Sequence, residues 1–397
     1  MRKLIVLLFA TISLLGQDPA VARLKHEMLT ARAQAQQAEQ DNNSGKDGAE
    51  RIAAVHGVLR DWLESRLPKN LYSLAGEVSR LDSSLQKALV EGRLSKPYSA
   101  NQDMDWNDPG FDEVGIELKT MPELPDTLFV IATLRVRCGT DQAVYAYRFD
   151  SNGRTRVIDD HPKSDWGYGA DFELSDPDSQ GRRLLLINRT STQCASTWME
   201  MTYAIYRISL SQPPESLLSS EHGFWLGNDG PEFILKPDGL MIEFLDHSVD
   251  GDIHNRTHLF RYNFADGVKR VEPMAFQPQD FAEEWLTRPW SEMQARSAPE
   301  TQKWHSKLHA DFVLGEYSNV VLCNAKPDRW SIGLEIKYVG ENELKAPIEA
   351  HFLVRDLGNY RFEMEAVSDS EFEGCPGEGS PSDKHPWLSA EQLKALP

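Results

Sequence analysis

Residues 236–260 read KPDGLMIEFLDHSVDGDIHNRTHLF. Three aspartates (Asp246, Asp250, Asp252) and three histidines (His247, His254, His258) fall between Asp246 and His258. Two readings compete. One is a metal site, the other a polar loop between two strands. Calcium takes six to eight oxygens, and an EF-type loop spaces them D-x-D-x-D-G with Glu at the twelfth position. The order here, D-H-S-V-D-G-D, does not follow that spacing. Zinc needs three or four converging ligands. A single loop with its histidines on alternating sides rarely supplies them. The stretch therefore reads as strand, loop, strand: a Pro-Asp-Gly turn, an apolar run from Leu240 to Leu245, a polar loop, and a second strand through Phe260.

The same frame recurs upstream. Pro125-Asp126 and Pro177-Asp178 each precede an apolar run and a polar loop, as Pro237-Asp238 does. Each unit then has a strand centred on aromatic-Arg-apolar: Tyr147-Arg148-Phe149, Tyr206-Arg207-Ile208 and Phe260-Arg261-Tyr262. Turns follow each (DSNG, SQPP, ADG), then a short third strand. Asn-Gly and Asp-Gly supply the positive φ that tight hairpins require. The pattern predicts antiparallel meanders. A unit this small cannot cover both of its apolar faces, so it must stack on a neighbour.

FILKPDGLMIEFLDH with HLFRYNFADGVKRV resembles the TolB-type, WD-repeat-like propeller blade. Pro237, Asp238 and Gly239 match the first turn of that blade, and Asp266-Gly267 the second. The resemblance covers residues 125–275. It implies radially stacked blades that serve as an interaction surface rather than a reaction centre. Three units are fewer than the four to eight that close a propeller. The alternatives are a further, hidden blade or an open stack of sheets.

Outside the repeats, residues 1–22 read as a secretory signal peptide. Arg2 and Lys3 form a basic start, Leu4–Leu15 is apolar, and Ala20-Val21-Ala22 places small residues at a cleavage site. Its removal takes away Arg2, Lys3 and Asp18, so the formal charge moves from −19 to −20. An acidic chain argues against nucleic acid and anionic membranes as partners. No later run is long enough to span a bilayer. Residues 23–98 read as helical: Ile52, Val55, Leu59, Trp62 and Leu63 recur at helical spacing, as do Leu71, Leu74, Val78, Leu81, Leu85 and Leu89. The leucine stripe fits a helical hairpin within the chain better than a coiled-coil partner. Residues 99–124 read as linker, 125–276 as propeller-like repeats, and 277–397 as an α+β domain. The alternative for the last segment is a fourth meander.

Four cysteines occur, none in a CxxC pair, and an exported chain would bridge them. In stacked blades Cys138 and Cys194 fall in equivalent loops. The expected bridges are Cys138–Cys194 and Cys323–Cys375. His305 and His309 lie one helical turn apart, but Ser306 stands where a metalloprotease helix has Glu. Phe281, Trp285, Trp290 and Trp304 read as a helix face over a sheet rather than a sugar cleft. No nucleophile elbow, P-loop or dinucleotide fingerprint is present. The sequence is expected to be mainly β with α, to use no cofactor, and to have no committed catalytic or metal residue. The leading function is an exported binding or scaffolding protein with an unknown protein or small-molecule partner. The competing class is a secreted hydrolase with a cleft between the β region and the C-terminal segment.

Overall fold

A computed structural model describes residues 18–40, 47–69, 74–94, 108, 110–137, 139–161, 167–191, 198–209, 212–225, 230–250, 255–324, 326–340, 342–375 and 390–396. Three helices, α1 (Pro19–Gln40), α2 (Gly48–Arg66) and α3 (Leu74–Glu91), precede sixteen strands. The strands form four antiparallel sheets of four, each in simple sequence order. The first holds β1 (Gly110–Thr120), β2 (Thr127–Val136), β3 (Gly139–Asp150) and β4 (Gly153–Asp160). The second holds β5 (Tyr168–Leu174), β6 (Arg183–Ser191), β7 (Trp198–Ile208) and β8 (Glu215–Trp225). The third holds β9 (Glu232–Lys236), β10 (Gly239–His247), β11 (Asn255–Asn263) and β12 (Lys269–Arg270). Then come α4 (Pro278–Thr287), α5 (Trp290–Met293) and α6 (Gln302–Leu308). The fourth sheet holds β13 (Val313–Leu322), β14 (Arg329–Val339), β15 (Asn342–Asp356) and β16 (Phe362–Ser368), and α7 (Ala390–Lys394) follows. The mainly β fold with an N-terminal helical segment is as expected from the sequence. Among the described residues no helix is long and apolar enough to cross a membrane.

Pro-Asp introduces the second strand of each sheet, not the first. Proline has no N–H to give a ladder, so it sits just before a strand. The Asp126 carbonyl accepts from Phe149 N at 2.9 Å, and the Asp238 carbonyl from Phe264 N at 2.7 Å. A fourth Pro-Asp, Pro327-Asp328, precedes β14, and the Asp328 carbonyl accepts from Asp356 N at 2.8 Å. The third strands carry Arg148, Arg207 and Arg261. Register places Arg148 opposite Thr127 and Arg355 opposite Arg329, whereas Asn263 faces Gly239. Arg261 therefore lies two residues earlier in its strand, on the same face because strand side chains alternate.

Two boundaries read from the sequence are corrected. Residues 110–120, expected in the linker, form β1. The unit begins one strand ahead of its Pro-Asp turn, and β1 lacks the turn that flags the others. The break expected at 276/277 also moves. The chain divides into residues 1–173 with 185–221, and 174–184 with 222–397. The third sheet thus belongs with the C-terminal helices and fourth sheet.

Each unit has its own core. In the first, Leu24, Val55, Leu59, Trp62, Leu85 and Leu89 pack with Val114, Leu128, Val130 and Tyr145. The leucine stripe of α3 faces β1, so its partner is the first sheet rather than a second helix of a hairpin. Val21 is buried in this core, so the expected cleavage site at Ala20-Val21-Ala22 lies inside α1. In the second unit Phe281, Trp285 and Leu286 pack on Ile332, Leu334, Ala350 and Phe352. Trp290 and Trp304 pack at its edge. The aromatic residues thus form the helix face over a sheet that their spacing predicts. Cys323 and Cys375 are joined in a disulfide. Cys138 and Cys194 lie outside the described residues, as does most of the proposed signal peptide.

Candidate functional site

In the second unit, β10, β11, α4 and the start of β13 surround a cavity of about 330 Å³. Its floor is charged. Helix α4 buries three acids in two turns: Asp280, Glu283 and Glu284, each 2 % exposed or less. Such burial is tolerable only when the charges are paired and hydrogen-bonded. Arg256, from the polar stretch that opens the sequence analysis, supplies the partner. Its Nε donates to Glu283 Oε2 at 2.5 Å and its Nη2 to Glu284 Oε1 at 2.6 Å. Arg288 Nε donates to the other oxygen of Glu284. Ser248 Oγ and Tyr317 Oη donate to Glu283 Oε1 at 2.6 and 2.5 Å. Glu284 is held well below the usual carboxylate range. Burial opposes that, and Arg288, Arg256 and His258 together outweigh it. Arg256 is held charged in the same way, with Glu283 and Glu284 prevailing over burial.

Asp280 behaves oppositely. Burial pushes it up to about 8, reinforced by Glu283 and Glu284 against the pull of Arg256. It is neutral at pH 7 when folded and ionised when unfolded. Between about pH 4 and pH 8 the folded chain binds more protons, so this residue makes stability fall as pH rises. Asp280→Asn removes that linkage. The variant should gain on the order of 5 kcal/mol over the parent at pH 8, with little difference at pH 4. Thermal melts of both proteins at the two pH values check this, and a gap that does not change with pH would contradict it.

His222 and Phe260 give the cavity an aromatic wall, their rings meeting edge to face. The His222 ring lies 4.7 Å from Phe260, and Phe244 lies 4.8 Å from Phe260. The Arg270 guanidinium sits 3.9 Å over the Phe260 ring, a cation–π contact. Burial, followed by Arg270, lowers His222 to about 4, so this imidazole is neutral at pH 7. His258 lies 3.3 Å from Glu284 through Nδ1 and 3.2 Å from the His247 carbonyl through Nε2. Each ring nitrogen of His258 is thus engaged by a protein oxygen.

The sequence-derived candidates scatter. Asp246 and His258 line the cavity. Asp250 is buried and turned to the fourth sheet, where Oδ2 accepts from Tyr317 N at 2.8 Å. Gly315 N donates to the Val249 carbonyl beside it. A Cβ on Gly315 would meet the Glu335 carbonyl at 2.4 Å, so only glycine permits this approach. Asp252 and His254 lie outside the described residues. Among the described residues Asp246, Asp250 and His258 form no ligand cluster. His305 Nε2 and His309 Nδ1 each bond a backbone carbonyl, Arg288 at 2.9 Å and Leu286 at 2.8 Å. They satisfy carbonyls at the end of α4, which a helix otherwise leaves open. Sequence reading missed His222, Arg256, Arg270, Glu283 and Glu284. Adjacent acids on a helix otherwise facing a core were the one available signal.

No protein-family model matches this chain, and no curated protein matches it. Several solved structures align weakly, two of them as follows. A variant of the Synechocystis apocarotenoid oxygenase shows 9 % identity over 71 % of this chain, with a TM-score of 0.23. This chain spans 56 % of the oxygenase's length. A mannose phosphorylase from Leishmania mexicana shows 7 % identity over 72 % of this chain and 78 % of its own, with a TM-score of 0.21. Likeness at this level carries neither a fold family nor a function.

Proposed function

We propose that this chain is an exported binding protein, and that the cavity of the second unit holds its ligand: a small polar molecule with one flat ring face. The observation that carries the reading is the contrast between floor and wall. The buried carboxylates accept from Arg256, Arg288, Ser248 and Tyr317, so they are satisfied before any ligand arrives, while Arg256 Nη1 has no partner among the described residues. The wall carries the partly buried His222 ring beside Phe260, whose own face is covered by Arg270, so a ligand ring would meet the His222 imidazole. A concave site of this volume, with an aromatic wall among many polar and charged groups, suits a small polar ligand. The repeated Pro-Asp meanders support the propeller-like reading of the scaffold.

The hydrolase alternative draws on the His258–Glu284 pair. Both ring nitrogens of His258 already lie within reach of protein oxygens, Glu284 and the His247 carbonyl. The Ser248 hydroxyl is directed to Glu283 rather than to a base. Binding therefore has the better support.

The test is a thermal-shift screen of the full chain against aromatic carboxylates, aromatic amines and monosaccharides, repeated on His222→Ala and Phe312→Ala. Phe312 is half exposed at the cavity, so its loss is tolerable to the fold. Compounds that stabilise the parent should bind about tenfold more weakly to His222→Ala, as expected from loss of one stacking and hydrogen-bond contact. Hits equally strong on all three proteins, or no hit at all, would count against the cavity as the site.

A further inference from the structure

The first unit contains a side-chain cluster that the binding reading does not use. His56 stands on α2, Asp141 near the start of β3, and His161 directly after β4. Asp141 is fully buried and His56 is 1 % exposed. His161 is the outermost of the three, with 12 % of its side chain exposed. One ligand-capable atom from each lies within 4.8 Å of the other two. Asp141 Oδ1 is 2.8 Å from His56 Nε2 and 2.9 Å from His161 Nε2.

The two contacts differ in kind. His161 Nε2 and Asp141 Oδ1 meet with hydrogen-bond geometry. His56 Nε2 approaches the same oxygen off the axis along which a ring N–H donates. Neither nitrogen of His56 makes a hydrogen bond among the described residues. A buried imidazole without a partner costs free energy comparable to a lost hydrogen bond. An ion shared with Asp141 and His161 would take the Nε2 lone pair and remove that part of the cost, leaving only the Nδ1 N–H without a partner among the described residues.

From this geometry we infer that His56, Asp141 and His161 form a binding site for a first-row divalent metal ion. Two imidazole nitrogens and one carboxylate oxygen are the donor set of zinc sites with three protein ligands, which leave a fourth position to water or substrate. That position lies toward His161, the exposed edge of the cluster. The second sphere is in place. Asp141 Oδ2 accepts from Tyr168 N at 3.2 Å, which orients the carboxylate and leaves Oδ1 for the ion. Metal ligands must be a neutral imidazole and an ionised carboxylate. The nearest buried guanidinium does not compete for the carboxylate, because Arg189 is paired with Asp160. Bound metal would tie α2 to the first sheet through both ends of the β3–β4 hairpin.

The test uses the untagged full-length chain, stripped with chelator and titrated with Zn²⁺, then with Co²⁺ as a spectroscopic probe. The parent should take up about one equivalent of Zn²⁺, with Co²⁺ giving the strong visible absorption of a four-coordinate site. His161→Ala and Asp141→Asn should each bind at least about tenfold more weakly, since even outer-sphere losses cost that much. His26→Ala, on an exposed position of α1, should bind as the parent does. Circular dichroism of the stripped proteins separates lost ligation from lost folding. If a variant does not fold, the parent's stoichiometry and Co²⁺ spectrum decide. Less than about a fifth of an equivalent in the parent, or an aqueous six-coordinate Co²⁺ spectrum, overturns the site, as does undiminished binding in folded His161→Ala and Asp141→Asn.

Discussion

Arg256→Met should destabilise the second unit by about 3–5 kcal/mol, the cost of removing one partner from a buried charge pair. The guanidinium is 2 % exposed and bonds two carboxylates that are equally buried. Without it, Glu283 keeps only the Ser248 and Tyr317 hydroxyls, and Glu284 keeps Arg288 and His258. The greater loss therefore falls on Glu283. Arg256→Met combined with Glu283→Gln should recover a substantial part of the stability, because the amide carries no charge to strand. The unfolding free energies of the parent, both single variants and the double variant check this by a thermodynamic cycle. A cost below about 1 kcal/mol for Arg256→Met, or a double variant no better than the single, would mean that water already solvates these carboxylates. The same pairing explains the shift of the domain boundary. Arg256 is on β11 and its partners are on α4, so the third sheet and the C-terminal helices share one buried charge network.

Replacing Cys323 and Cys375 together by serine should cost about 4 kcal/mol, the chain-entropy estimate for a loop of this length. The two residues are separated by 52 in sequence and both are buried, one just past β13 and the other beyond β16. Loss of the bond frees the segment after β16 from the start of the fourth sheet. Denaturant melts of the parent and the serine variant check the magnitude. Mass spectrometry after alkylation, without reductant, checks the chemistry. The export reading requires this bond in protein isolated from its own host, since an oxidising compartment forms and keeps such bonds. Alkylated Cys323 and Cys375 in that material would remove the main support for export apart from the N-terminal sequence.

Much of the fold was legible because its signals are local. A short apolar run interrupted only by Glu243 marks Leu240–Leu245, and helical spacing marks Ile52 to Leu63. The Pro-Asp pair marks the entry to each second strand. The fourth pair, Pro327-Asp328, was in plain view, but it follows three helices, and Arg329 stands where glycine closes the turn at Gly239. The interruption hid the repeat although the hydrogen bond that defines it, Asp356 N to Asp328 O, is the same. β1 escaped for the complementary reason: its unit starts before any turn residue that distinguishes a strand from a link.

Neither buried polar cluster was legible. The opening stretch drew attention through its density of aspartate and histidine, yet its consequential residue is Arg256, ordinary in sequence and decisive once α4 lies against it. His56, Asp141 and His161 come from a helix and both ends of a hairpin, with no spacing to link them.

Sequence alone determined the strands, the helices, the repeated meander and the acidic surface charge, because backbone preference and turn chemistry act between near neighbours. Tertiary structure alone decided which charges are buried together, where the cavity lies and which imidazoles converge. Those depend on side chains far apart in the chain meeting across packed faces, where a low dielectric makes each unpaired or paired charge count for far more than it does in water.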